Sequence, residues 1–148
     1  MHYKIYVPLV FILVMVGYFI SNPSYEKSLQ AKYYYETAQY KEAYNLAKEA
    51  FGMDVYNRMA STIMAQSTTS LKYVNFINEA KNYKEAINKI ALHDSISDAD
   101  RAKIKMICKI MIAEYKKLAP SVVTDKELQI QSAKYNNEFE KLLEKVTQ

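Results

Sequence analysis

The pattern of polar and apolar positions sets the first segment of the chain apart from the rest. Between Lys4 and Glu26 no side chain is charged, and residues 5–20 (IYVPLVFILVMVGYFI) are almost wholly aliphatic or aromatic, with no polar stripe. A helix that is apolar all round belongs inside a membrane or deep inside a large core. About 20 helical residues at ~1.5 Å each cover the ~30 Å hydrocarbon slab, so residues 3–22 are enough for one crossing. Tyr3, Tyr6 and Tyr18 lie towards its two ends, where amphipathic rings prefer the membrane interface. Pro8 falls in the first turns, where a missing backbone donor does least harm. A cleaved signal peptide fits less well: cuts after Gly17, Ser21 or Ser24 put Met15, Phe19 or Asn22 at the position that wants a small residue. The expectation is an uncleaved single-pass anchor, residues 1–22, touching the bilayer through residues 3–22 and followed by a soluble domain over residues 23–148. The positive-inside bias is weak, since Lys4 on one side faces Lys27 and Lys32 offset by Glu26 and Glu36 on the other. A short head before a hydrophobic run favours the domain lying outside the cytoplasm.

Downstream, every segment carries a helical period. Asn22-Pro23 is an N-cap followed by Pro at the first helical position, so a helix is predicted over residues 23–38. Ala43, Ala47 and Ala50 repeat by four and three in a second helix over residues 39–54, with Gly52 as its stop. Val55, Met59, Ile63, Leu71, Val74 and Ile77 predict a long helix over residues 55–80, one piece or two if the Ser67 to Ser70 cluster breaks it. A shorter helix is predicted over residues 83–92, another over residues 98–118, capped by Ser97 or Asp98 and stopped before Pro120. Thr124 with Glu127 makes a capping box for a last helix over residues 125–146. No segment asks for a strand, and the fold class is all-α.

One internal echo stands out. Tyr40-Lys41-Glu42-Ala43 with Asn45 recurs as Tyr83-Lys84-Glu85-Ala86 with Asn88, each copy placed to open a short helix after a longer one. Over residues 27–55, with Ala31, Tyr34, Tyr40, Ala43, Ala50 and Asp54 at the family's small, aromatic and acidic positions, the chain resembles the tetratricopeptide repeat. The second copy departs from it: His93 stands where a small residue is usual, and the offset exceeds the family's period of about 34 residues. The resemblance implies antiparallel helical hairpins with a C-terminal helical cap, in a protein-binding module. Membrane-anchored proteins of this plan serve as accessory parts of bacterial secretion, division and flagellar-motor machines, which makes a scaffold or adaptor of the cytoplasmic membrane, with a periplasmic domain, the implied role.

Composition narrows the chemistry. The chain has 148 residues, enough for one anchor and one ordinary domain. It has two Gly, Gly17 and Gly52, so no glycine-rich loop can cradle a phosphate. The two histidines, His2 and His93, and the one cysteine, Cys108, are too few for a metal cluster or a His-based triad. Neither a cofactor, nor a metal, nor catalysis is expected. A net charge of +4 with the signs mixed along the chain is no footprint of a nucleic-acid binder. Arg101, Lys105 and Lys109 line one helix edge and are taken as a solvated face in preference to a lipid or nucleic-acid surface. Cys108 lies on an apolar stripe with Ile104, Ile107, Met111, Tyr115 and Leu118, where a free thiol acts as a small hydrophobe.

What remains is protein binding. The 14 tyrosines exceed what hairpin packing requires, and Tyr is a common interface anchor, so Tyr33, Tyr34, Tyr40 and Tyr44 form the first candidate surface. Met106, Ile110 and Ala113 form a second apolar stripe on the helix over residues 98–118, sandwiched in the domain or docked to another protein. Leu128, Ser132, Tyr135, Phe139, Leu142 and Val146 make a heptad seam that either caps the domain or pairs with a partner helix. The expected partners are other proteins of a membrane-associated complex, and the rival reading is a chaperone-like module that captures exported peptides.

Overall fold

A computed structural model describes residues 3–93, 95–120 and 124–147. Among the described residues the chain forms six helices and no strand: α1 (Tyr3–Ser21), α2 (Pro23–Glu36), α3 (Tyr40–Met53), α4 (Arg58–Ala91), α5 (Asp98–Lys116) and α6 (Lys126–Thr147). The all-α class expected from the helical periods is what the chain adopts. The chain divides into two compact units, Met1–Thr68 and Thr69–Gln148, with α4 contributing to both.

The first unit begins with α1. Its described side chains, residues 6–18 and 21, are all exposed. No single helix among the described residues is long and apolar enough to cross a membrane, whereas Tyr6–Tyr18 and Pro23–Glu36 together pass as a pair bent by 77°. The bend lies at Asn22, whose Oδ1 accepts from the Ser24 amide at 3.0 Å and caps α2, with Pro23 at its first position. α2 and α3 pack through small residues: Ala31, Ala43 and Ala47 are fully buried with Ile63 of α4, and Tyr34, Tyr35, Leu46, Met59 and Met64 close the sides. Small side chains let the helix axes approach closely, and the tyrosines fill the gaps.

The turn between α2 and α3 is a Schellman motif. The Gln39 amide donates to the Tyr34 carbonyl (2.8 Å) and the Ala38 amide to that of Tyr35 (3.1 Å), with Ala38 at φ 59°. These bonds satisfy the last carbonyls of α2, but they place an alanine in the left-handed region that glycine occupies without strain.

Beneath the far end of this unit lies a buried polar knot. Asn57 is fully buried, and its Nδ2 donates to Ser24 Oγ (2.9 Å) and Ser28 Oγ (3.1 Å) of α2. Its Oδ1 accepts from the Ala60 amide (3.1 Å), which makes Asn57 the cap of α4. Ser24 Oγ in turn donates to the Ala50 carbonyl (2.8 Å) in the last turn of α3, and Ser28 Oγ to the Tyr25 carbonyl (3.0 Å). One side chain therefore ties the start of α2, the end of α3 and the start of α4 together.

α4 differs from the expectation. The helices predicted over residues 55–80 and 83–92 are one element of 34 residues, and it starts at Arg58, leaving Val55 in the preceding turn. The Ser/Thr cluster does not break it: Thr68 Oγ1 donates back to the Met64 carbonyl (2.8 Å), and Ser67 and Ser70 are small enough to be buried outright. With no Gly or Pro between Gly52 and Pro120, nothing stops the helix at residue 82. The second Tyr-Lys-Glu-Ala copy consequently lies inside α4 and opens no hairpin; the echo is one of sequence and not of structure.

The second unit is a three-helix assembly. Phe76, Ile77, Ala80, Ile87 and Ile90 of α4, Ile104, Ile107, Cys108 and Met111 of α5 and Phe139 of α6 form its core. The predicted seam of α6 faces inward: Leu128, Tyr135, Leu142 and Val146 pack on this core, and Ser132 is fully buried. Ser97 caps α5, its Oγ accepting from the Asp100 amide at 3.1 Å. Asp125 caps α6 directly, since its Oδ1 accepts from the Glu127 amide at 2.9 Å, so α6 starts one residue later than the Thr124 capping box predicts. Across the unit, Lys84 of α4 pairs with Glu138 of α6 at 2.6 Å and lies 5.5 Å from the centre of the Tyr135 ring.

Candidate functional site

The tyrosine group splits by burial. Tyr33 is exposed, Tyr34 and Tyr44 are half-buried, and Tyr40 is buried. Tyr40 stands edge-on to Tyr35 with ring centroids 5.5 Å apart, which makes it a spacer inside the α2/α3 hairpin; as a surface contact it is corrected. Tyr33 stands edge-on to Tyr34 at 5.7 Å. Leu29, one turn before Tyr33, is also exposed and extends an apolar strip along α2 that the sequence pattern did not single out. The signal was there, as a four-residue spacing from Leu29 to Tyr33.

The second stripe is laid out more simply. α5 buries Ile104, Ile107, Cys108 and Met111 on one side and turns Met106 (58% exposed), Ile110 (39%) and Ala113 outward on the other. Within its unit the outer stripe is covered by nothing, so the sandwiched alternative does not hold there. Exposed Lys103, Lys109, Lys116 and Lys117 border it, which gives an apolar strip with a cationic margin. Lys117 is engaged by Glu114 at 2.5 Å.

The basic edge has a local counterweight. Lys105 and Lys109 line a groove of about 550 Å³ between α5 and α6 together with Glu140 and Glu144 of α6. Acidic side chains in the same groove dilute the positive potential that a phosphate backbone would need. A second groove, about 320 Å³, runs between α4 and α6 past Lys84, Ile87, Glu138 and Leu142. Among the described residues no three His, Cys, Asp or Glu side chains are grouped to hold a metal ion.

The titrating groups point to structure. Burial pushes the Cys108 thiol up from its ordinary value, opposed only in part by a hydrogen bond from the backbone, so the nucleophilic thiolate is disfavoured. Burial, and secondarily the neighbouring Tyr115, likewise raise the Tyr73 phenol. Asp100 is held below its usual value first by the hydrogen bond from Ser97 Oγ to its Oδ2, at 2.7 Å.

Three further exposed apolar residues, Met53, Val55 and Tyr56, cluster at the turn from α3 to α4. The helical period predicts Val55 inside a helix, whereas the Asp54 and Asn57 side chains, bonded to the Tyr56 and Ala60 amides, shape a turn there. As to kinship, no family model matches the chain, and neither does any curated protein or solved structure. What the fold and the surfaces define is a class only: an all-helical protein of two small units with unpartnered apolar faces.

Proposed function

We propose that the chain is a membrane-anchored binding protein: α1 holds it in the cytoplasmic membrane, and the helical domain, on the periplasmic side, docks to another protein of an envelope assembly as an adaptor or scaffold subunit. The observation that carries this reading is the surface of α1. Eleven large apolar side chains between Tyr6 and Tyr18 are 41–67% exposed, with no charge from residue 5 to residue 25. Fully burying such a side chain is worth about 1.5–3 kcal/mol, so α1 in water forgoes on the order of 10 kcal/mol that a hydrocarbon environment returns. The whole of α1, 19 residues, spans about 28 Å, close to the ~30 Å slab, while the stretch with described side chains, Tyr6–Tyr18, is too short to cross alone.

Docking is assigned to the outer stripe of α5, Met106 with Ile110, and to the Tyr33 and Tyr34 edge of α2. Met106, Ile110 and Tyr33 are exposed within their own units, Tyr34 half so, and both edges are bordered by side chains suited to a polar rim. Tethering raises the local concentration of a partner in the same membrane, so each face need supply only modest affinity.

A photo-crosslinking amino acid at Met106, in cells carrying the full chain, tests this. An adaptor gives one or two discrete adducts; a ladder of many adducts favours the chaperone-like reading, and none at all removes the docking role of this stripe. Protease added to intact cells after removal of the outer barrier should cut the domain, and its resistance there would put the domain on the cytoplasmic side.

A further inference from the structure

We propose that the turn between α3 and α4 is a second membrane contact, one that seats Met53, Val55 and Tyr56 in the interfacial zone of the bilayer that α1 occupies. The inference rests on the anchored reading of α1 and adds to it a specific posture for the first unit.

Exposure comes first. Tyr56 is 88% and Val55 60% exposed in a turn of four residues, and Met53, the last residue of α3, is 54% exposed beside them. Chain position comes second. α1 ends at Ser21, and Ser24 is already part of α2; three residues reach at most about 10 Å. Ser24 Oγ holds the Ala50 carbonyl on one shoulder of the turn, and Asn57 Nδ2 holds Ser24 Oγ from the other, at 2.8 and 2.9 Å. The turn is thus fixed beside the end of α1 by bonds that do not depend on the membrane. Direction comes third: α2 leaves α1 at 77°, so with α1 across the bilayer α2 runs along its plane instead of away from it.

The side chains suit that zone. It is roughly 5–8 Å deep on each face, and an amphipathic ring such as that of Tyr56 prefers it to either water or hydrocarbon. Arg58, exposed at the start of α4, stands ready for lipid phosphate. Asp54, the one acid in the turn, is half-buried and turned to the backbone, its Oδ1 accepting from the Tyr56 amide at 2.9 Å.

The chain has no tryptophan, which gives a clean probe. The full chain carrying Tyr56→Trp, and separately Leu13→Trp, is reconstituted in phosphatidylcholine vesicles with a minority of phosphatidylglycerol, brominated either near the headgroup or near the chain ends. For Tyr56→Trp, headgroup-proximal bromine should lower the emission about twofold, with a smaller effect from chain-end bromine, as an interfacial ring requires. Leu13→Trp should show the opposite preference. Quenching of Leu13→Trp with water-like, unquenched emission from Tyr56→Trp overturns this inference and leaves the anchor standing. A blue-shifted but unquenched Tyr56→Trp also overturns it, because another copy of the chain then covers the turn. If neither probe is quenched, the anchored reading fails as well.

Discussion

Replacing Asn57 by Ala removes more than its small size suggests. The side chain is fully buried and makes three hydrogen bonds, two as donor to Ser24 and Ser28 and one as acceptor from the Ala60 amide. Loss of the cap costs about 1 kcal/mol. The two serine hydroxyls keep their own donor bonds to Ala50 and Tyr25, so only the net value of the lost pair, about 0.5–1.5 kcal/mol each, is added. The sum is about 2–4 kcal/mol, all of it in the first unit. At about 1.4 kcal/mol per decade, the amides of Ala43, Ala47 and Ile63 should lose roughly 30-fold or more of their hydrogen-exchange protection in the full chain in mild detergent. Asn57→Asp separates the parts: it keeps the acceptor for Ala60 but buries a carboxylate and loses both donors, so it should remain well below the parent chain. Protection in Asn57→Ala within threefold of the parent would refute the knot as the tie among α2, α3 and α4.

Three further outcomes are expected. Ala38→Gly relieves the left-handed alanine of the Schellman turn and should stabilise the chain by about 1 kcal/mol, a rise of about 4 °C in a thermal melt. Cys108 is fully buried with its thiol pushed up, so in the folded chain it should resist alkylation at neutral pH; Phe139→Ala, which hollows the same core for about 3–5 kcal/mol, should make it reactive. Because Asp100 is held below its ordinary 3.8, its bond with Ser97 stabilises α5 above that pH and is lost as pH falls through the lowered value, so the carboxyl carbon followed by NMR should titrate below 3.8 and an Asp100→Asn chain should lose that pH dependence.

How much of this could be seen beforehand differs from element to element. The cap at Asn22-Pro23, the Ala43, Ala47, Ala50 face, the Ser97 cap and the buried Cys108 stripe all follow from local rules, in which a residue's neighbours within one or two turns decide its place. α4 does not: the Ser67 to Ser70 hydroxyls read as breakers, yet Ser67 and Ser70 are buried outright within one continuous helix. Tyr40 reads as a surface aromatic until the close approach of α2 and α3 shows that the hairpin needs it inside. The knot at Asn57 joins residues about thirty positions apart, and no period in the chain announces such a pairing. Met106 and Ile110 are the reverse case, since their spacing was plain and only the packing of α5 could tell a covered stripe from an open one.

Whether α1 lives in lipid decides the tethered adaptor. Membranes from cells carrying the full chain, washed in alkaline carbonate, should retain it in the pellet, while a chain beginning at Pro23 should be released to the supernatant. Release of the full chain by the same wash would contradict the anchor and, with it, the tethered adaptor.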